Sequence, residues 1–81
     1  MSDIYQPIAC AVHSEYELLA IHQSKVLLDA MDAQGKRQRL ECHVKDICTR
    51  QGAEYLVVVA DNNTSCEFRL DQIHSIKELN T

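Results

Sequence analysis

Glycine and proline are scarce in this chain of 81 residues, which contains two glycines and one proline. So few chain breakers leave no room for a flexible linker, and no segment is a repeat or of low complexity. Gly35 and Gly52 stand far apart, so the sequence has no glycine-rich loop of the kind that binds a phosphate. We therefore expect one small domain over residues 1–81 and no nucleotide-dependent enzyme.

Long apolar runs are also missing. No stretch approaches the roughly 20 consecutive apolar residues that cross a bilayer. The first residues, Met1-Ser2-Asp3-Ile4, lack the basic and apolar regions of a secretory signal. An apolar fraction of 46% with 25% charged residues is ordinary for a soluble globular protein. These features predict a cytoplasmic protein that does not contact a membrane.

An excess of positive charge is absent, because 12 acidic residues outnumber 8 basic ones and give a formal net charge of −4. Proteins that bind nucleic acid by neutralising phosphates usually carry a basic excess. Residues 1–34 contain five acidic residues and one basic residue, residues 35–50 contain five basic residues and two acidic ones, and the remainder of the chain is acidic again. Such a charge distribution favours a partner with a basic surface, which the net charge would attract electrostatically.

Aromatic side chains are few, and the four present are Tyr5, Tyr16, Tyr55 and Phe68. Single-stranded nucleic acid is usually bound on exposed aromatic rings, so the small number of aromatic side chains argues against binding of single-stranded nucleic acid. The basic stretch with Lys36, Arg37 and Arg39 is interpreted as a solvated hairpin. An RNA-binding patch at the same residues stays open as the alternative.

Four cysteines and four histidines raise the question of a metal site. A structural zinc site needs two close pairs of ligands. Cys10 and His13 have suitable spacing, but Cys42 and His43 are adjacent and would point to opposite faces of a strand. We therefore predict no metal and no cofactor, with Cys42 and Cys66 as small core residues. A domain stabilised by zinc stays open as the less favoured alternative. No catalytic residue is predicted either, because no nucleophile–base arrangement is recognisable.

The N-terminal third predicts an extended segment at residues 1–13, since Pro7 disfavours helix before it, and then a helix at about 14–23. Ser14 and Glu17 have the spacing of a capping box. Leu18 and Ile21 share one side of this helix, and the remaining apolar side chains share roughly the opposite side. One side is expected to dock on the domain, while the other needs cover from the N-terminal segment or another molecule.

The rest of the chain predicts five short strands, because apolar and polar residues alternate and β-branched residues are frequent. Their expected ranges are 25–31, about 36–44, 54–60, 65–70 and about 73–77. Gly35 is expected at positive φ in a hairpin turn, and residues 46–52 are expected to form a connection with a short helical turn. The predicted fold is α+β, mainly β: an N-terminal helix followed by a small Sm-like antiparallel β-barrel or bent sheet over residues 25–77.

Several short patches occur in a fixed order along the chain: Tyr5-Gln6-Pro7-Ile8 with Cys10, Leu18 to Gln23, Arg50 to Val58, and Phe68-Arg69-Leu70-Asp71 with Ile73. This ordered set resembles the Rof family of bacterial proteins, inhibitors of the transcription terminator Rho. The resemblance extends from Tyr5 to about Ile76.

The resemblance implies an Sm-like fold and direct binding to the N-terminal primary RNA site of Rho, a hexameric RNA-dependent ATPase, so that RNA cannot load. It also implies the contacting residues, which are His13, Ser14, Glu15, Tyr16, Glu17, Asp46, Arg50 and Gln51. Among them Glu15 and Glu17 would meet basic groups, and Tyr16 would be an anchor buried in Rho. Asp46 and Arg50 could instead pair locally within their connection. The alternative function is an Sm-like RNA-binding module; for the free protein we expect a monomer.

Overall fold

The computed structural model describes residues 8–79, and the predicted extended conformation of residues 1–7 lies outside them. In chain order the elements are α1 (Cys10–His22), β1 (Lys25–Met31), β2 (Arg37–Arg50), β3 (Ala53–Ala60), β4 (Ser65–Arg69), a 3₁₀ turn (Leu70–Gln72) and β5 (Ile73–Glu78). One helix followed by five strands confirms the predicted α+β class, mainly β.

The five strands form one sheet in the order β4-β3-β2-β1-β5, and all neighbours are antiparallel. Within residues 8–79, β4 and β5 are the two edges and do not pair with each other, so the sheet is not closed into a barrel. The register shifts between Asp29 and Ala30 where β1 meets β5, and again within β2. Such irregularities bend strands and increase their twist.

The core lies on one face of this sheet, and strand alternation determines which side chains enter it. Its buried members are Tyr16, Val26, Leu28, Ala30, Cys42, Val44, Leu56, Val58, Phe68 and Leu70. In β2 the predicted alternation is confirmed, because Cys42 and Val44 are buried while Glu41 and His43 are exposed. Cys66 packs against the core and is partly buried, as expected for a small core residue.

The predicted connection with a helical turn at residues 46–52 is wrong, because β2 continues to Arg50. Val44 pairs with Val58 and Asp46 pairs with Val57, so Lys45 is an extra residue in β2. A bulge of this kind exchanges the inward and outward positions that follow it. The bulge interrupts the alternation of apolar and polar residues in the sequence, and this interruption is why the sequence predicts a loop there. The actual connection is Gln51-Gly52, both at positive φ (51° and 79°), as in a two-residue hairpin turn.

Helix α1 starts at Cys10 rather than residue 14, so the predicted extended conformation of residues 10–13 and the capping box at Ser14 are wrong. The N-cap is Ala9, whose side chain makes no capping bond, and Ser14 is exposed inside the helix. A cap is worth only about 1 kcal/mol. Tertiary contacts outweigh it here, because Ile8 packs against the core and His13 reaches the sheet.

The helix ends at His22, one residue before the predicted end. Gln23 adopts the left-handed conformation at φ 50°, and the N–H groups of Gln23 and Ser24 donate to the carbonyls of Ala20 and Leu19. This turn leads directly into β1. No helix within residues 8–79 combines the length and apolarity needed to cross a membrane.

The β1–β2 hairpin turn forms where the sequence predicted it, and Gly35 has φ 79°. Asp32 organises the turn, since its Oδ1 accepts hydrogen bonds from the N–H groups of Gln34 and Lys36, each at 2.9 Å. Its Oδ2 accepts a third from Gln38 at 2.9 Å. These bonds lower the pKa of Asp32, and the one from Gln38 contributes most to this shift.

Candidate partner-binding surface

Helix α1 has two apolar sides, as the sequence predicted. Tyr16 is buried, and Leu19 and Ala20 are partly buried against the core. Leu18 and Ile21 lie on the other side and are 54% and 72% exposed. Exposed apolar side chains are common singly, but two on one helix side make a candidate contact area.

We define the outer helix face as Ser14, Leu18 and Ile21. At about 100° per residue, these three side chains fall within roughly 60° of one another on the helix. Glu17 follows on one flank and Glu15 on the other, and both are exposed. The outer helix face is therefore a narrow apolar strip between two carboxylates.

A groove of about 510 Å³ separates α1 from the sheet, beside the outer helix face. Its lining residues are His13, Glu17, Ala20 and Ile21 from α1, Asp46, Ile47 and Thr49 from β2, and Glu54 from β3. The groove thus brings Asp46 close to two other predicted contact residues, His13 and Glu17. The β2 bulge lies beside this junction, because the extra residue Lys45 immediately precedes Asp46.

His13 links the helix to the sheet at the groove. Its Nε2 lies 2.7 Å from Oε2 of Glu54, and its Nδ1 lies 3.6 Å from Oε1 of Glu17. The hydrogen bond to Glu54 and the negative charges of both glutamates raise the pKa of His13, and burial opposes them. Since the side chain is 24% exposed, His13 is mainly an internal link rather than a free contact group.

Tyr16 does not belong to the exposed surface. It is 7% exposed and a member of the protein's own core, so the prediction of an anchor inserted into a partner is wrong for this side chain. Burial, with the nearby charge of Glu15, raises the pKa of the Tyr16 hydroxyl. Ser14 and Glu15 are exposed, as a contact role requires.

Arg50 and Gln51 lie at the β2–β3 turn and do not line the groove, although Thr49, the neighbour of Arg50, does. Arg50 pairs with Glu67 of β4, and its guanidinium carbon lies 4.5 Å from the centre of the Tyr55 ring. The local pair between Asp46 and Arg50 is therefore not formed, and Asp46 accepts a hydrogen bond from the N–H of Ile47 at 2.8 Å. Asp46 and Arg50 are four positions apart along β2, roughly 13 Å.

Two features of this surface were missing from the predicted contact residues. The sequence predicts Leu18 and Ile21 as a second apolar side of the helix, but neither is among the predicted contact residues. Glu54 is also absent from them, although the sequence holds a signal for it. It shares the period-two face of Leu56 and Val58, both fully buried, so its carboxylate is directed to the core side and needs a partner there.

The basic hairpin is partly neutralised by its own sheet. Arg37 donates two hydrogen bonds to Asp29, at 2.8 and 2.9 Å. This pairing lowers the pKa of Asp29 and raises that of Arg37. Lys36 and Arg39 are exposed beside it, as the interpretation of a solvated hairpin expects.

The cysteines and histidines of residues 8–79 form no cluster of three or more metal-ligand side chains, with or without carboxylates. Cys42 has no exposed surface, and burial raises the pKa of its thiol to about 11. Cys10 is exposed at the start of α1.

A helix thus lies on an open five-stranded sheet and presents an apolar strip between carboxylates. No family model matches the chain. Two known proteins are similar to it: protein rof of Escherichia coli strain K12 and protein rof of Shigella flexneri. Each is 37% identical over 75 residues, which cover 93% of this chain and 83% of the relative. The chain belongs to the Rof family.

Proposed function

We propose that this protein inhibits the transcription terminator Rho by binding it through the outer helix face and blocking the loading of RNA. Family membership supports the proposal, because the motifs of this chain resemble those of Rof proteins. That resemblance implies binding to Rho. The observation that carries it for this chain is the exposure of Leu18 and Ile21, at 54% and 72%, on a helix whose opposite side packs on the core through Tyr16, Leu19 and Ala20.

The apolar strip can supply the affinity of such a contact. Fully burying a leucine or isoleucine side chain is worth about 1.5–3 kcal/mol. Binding energy is usually concentrated in a few such side chains, surrounded by polar groups that add specificity. Leu18 and Ile21 would be the central pair, with Ser14 one turn before Leu18 on the same side of the helix.

The carboxylates around the strip explain why the target would be an RNA-binding site. Such a site carries basic groups for the phosphates. Glu15, Glu17 and Asp46 are exposed at or beside the outer helix face, and they offer negative charge in place of phosphate. The net charge of −4 adds long-range attraction, which salt would weaken.

Arg50 and Gln51 have a secondary role in this proposal. Neither residue belongs to the outer helix face or lines the groove, so they would contact Rho only at the rim of the interface. Rim charges affect the association rate more than the affinity. The protein would act in the cytoplasm as a monomer, without a cofactor and without catalysing a reaction.

Displacement of RNA from Rho tests the proposal. Fluorescence anisotropy of labelled C-rich RNA bound to Rho should fall as the protein is added. The protein alone, mixed with the same RNA, should leave the anisotropy unchanged. Failure of the protein and Rho to associate in a pull-down at moderate salt would contradict the proposal. Direct, salt-sensitive binding of RNA without Rho would favour the Sm-like RNA-binding module instead.

A further inference from the structure

Helix α1 is attached to the sheet by few side chains. Tyr16 is the member of the helix with a buried side chain, and the N-cap residue Ala9 supplies no side-chain bond. A 13-residue helix is marginal in water without tertiary contacts. The position of α1 therefore depends on the side chains that do reach the sheet, and His13 reaches β3 over a sequence separation of 41 residues.

We infer that His13 is a positioning residue whose protonated ring fastens α1 to β3 through Glu54, so that binding through the outer helix face weakens as the pH rises and the ring loses its proton. The binding part of this inference rests on the proposed function. The fastening of the helix is a property of the free chain and can be tested without a partner.

The chemistry follows from the donors of imidazole. A protonated ring has an N–H on each nitrogen, so it can face both carboxylates, Glu54 at 2.7 Å and Glu17 at 3.6 Å. A neutral ring has one N–H. It can keep the hydrogen bond to Glu54, but its bare Nδ1 then faces the Glu17 carboxylate. Neutralisation therefore removes an attraction on each side of His13.

The charges around the groove increase the effect of deprotonating His13. Three carboxylates face it, Glu17 from α1, Asp46 from β2 and Glu54 from β3, and among the described lining residues His13 alone can carry positive charge. When the ring is neutral, the helix and the sheet present like charges to each other. Repulsion between them favours a helix that lies further from the sheet.

The direction of the pH effect follows from the pKa of His13, which the Glu54 hydrogen bond raises above its usual value of 6.5. A group with a raised pKa in the folded state stabilises that state fully below about pH 6.5. The contribution is lost as the pH rises through the folded-state pKa. The helix should therefore be held most firmly in mildly acidic solution and less firmly above neutrality.

The position of α1 affects binding directly, because the outer helix face and the groove have side chains in common or in contact. Glu17 flanks the outer helix face and also contacts His13, while Ile21 belongs both to that face and to the lining of the groove. A shift of α1 against the sheet moves both side chains relative to Asp46. A partner that contacts the helix and Asp46 together would then lose part of its complementarity.

The experiment uses the full chain and the variants His13→Gln and Glu54→Gln. The matched control is His43→Gln, since His43 is an exposed outward residue of β2. Ring titration of His13 by NMR should give a pKa above 6.5 in the natural protein and a lower one in Glu54→Gln. Amide hydrogen exchange of α1, corrected for intrinsic rates, should be faster at pH 8 than at pH 6 in the natural chain and in the control. It should be equal at both pH values in His13→Gln.

Binding to Rho is then measured at the same two pH values, with every variant compared with the natural protein at each pH. His13→Gln should weaken binding by roughly two- to fivefold at pH 6 and much less at pH 8. His43→Gln should bind like the natural chain at both. Equal corrected exchange of α1 at pH 6 and pH 8 in the natural chain would overturn the inference. Exchange that follows His13 without any binding to Rho would support the positioning role and contradict the proposed function.

Discussion

Arg69 and Asp71 form an ion pair with two hydrogen bonds at the corner between β4 and β5. Nε of Arg69 donates to Oδ1 of Asp71 at 3.0 Å, and Nη2 donates to Oδ2 at 2.7 Å. The Asp71 side chain is only 4% exposed, whereas that of Arg69 is 22% exposed. Asp71 lies in the 3₁₀ turn, so the pair fastens edge strand β4 to the turn that leads into edge strand β5.

Replacing Asp71 should destabilise the fold, because the Arg69 guanidinium would lose the carboxylate that it binds with two bonds. We expect Asp71→Ala to lower the free energy of unfolding by about 2 kcal/mol, measured by urea denaturation. Glu67→Ala is the matched control, because Glu67 lies on β4 like Arg69 and pairs with Arg50 of β2. That pair is more exposed than the Arg69–Asp71 pair, so its loss should cost under about 1 kcal/mol. Equal losses for the two variants would show that burial of the pair is unimportant.

Tyr16 and Glu17 are adjacent in sequence but should respond to substitution in opposite ways. Tyr16→Ala removes a core side chain and should cost about 3 kcal/mol of unfolding free energy. Glu17→Lys changes an exposed side chain, so thermal unfolding should shift little while binding to Rho weakens. A Tyr16→Ala protein that melts like the natural one would contradict the inward position of the ring.

Ile21 should matter for binding and not for stability, because it is 72% exposed. We expect Ile21→Asp to weaken binding to Rho by at least roughly tenfold, since it replaces an apolar contact with a charge that the interface must desolvate. Asn62→Asp adds the same charge in the β3–β4 turn and is the control. Binding of both variants to Rho can be measured by calorimetric titration. Equal affinities of Ile21→Asp and Asn62→Asp would contradict the proposed contact surface.

The thiols should differ in reactivity, because alkylation requires the thiolate. With a pKa of about 11, Cys42 is nearly all protonated at pH 8, and it is fully buried. Iodoacetamide should therefore modify the exposed Cys10 first in the native protein, and Cys42 only as the chain unfolds. Mass spectrometry of peptides sampled over time gives the two rates. In urea the rates should become similar; similar rates in the native protein would contradict the core position of Cys42.

Local patterns of the sequence determined much of this protein. The alternation of Cys42 and Val44 with polar neighbours predicted a half-buried strand, and Gly35 predicted the hairpin turn. The positions of Leu18 and Ile21 in the predicted helix indicated its second apolar side. Each of these signals depends on residues within a few positions of one another, and strand and helix periodicity act over that range. The family motifs are equally readable from the sequence alone.

The tertiary structure decided the features that depend on distant residues. The start of α1 at Cys10 follows the contacts of Ile8 and His13, and these outweigh the local cap that Ser14 offered. The bulge at Lys45 depends on how β2 pairs with β3. Glu54 became part of the surface only because folding placed it 2.7 Å from a histidine 41 residues away. Hydrogen bonds and packing between residues so far apart have no period in the sequence, so only the assembled sheet and helix could fix them.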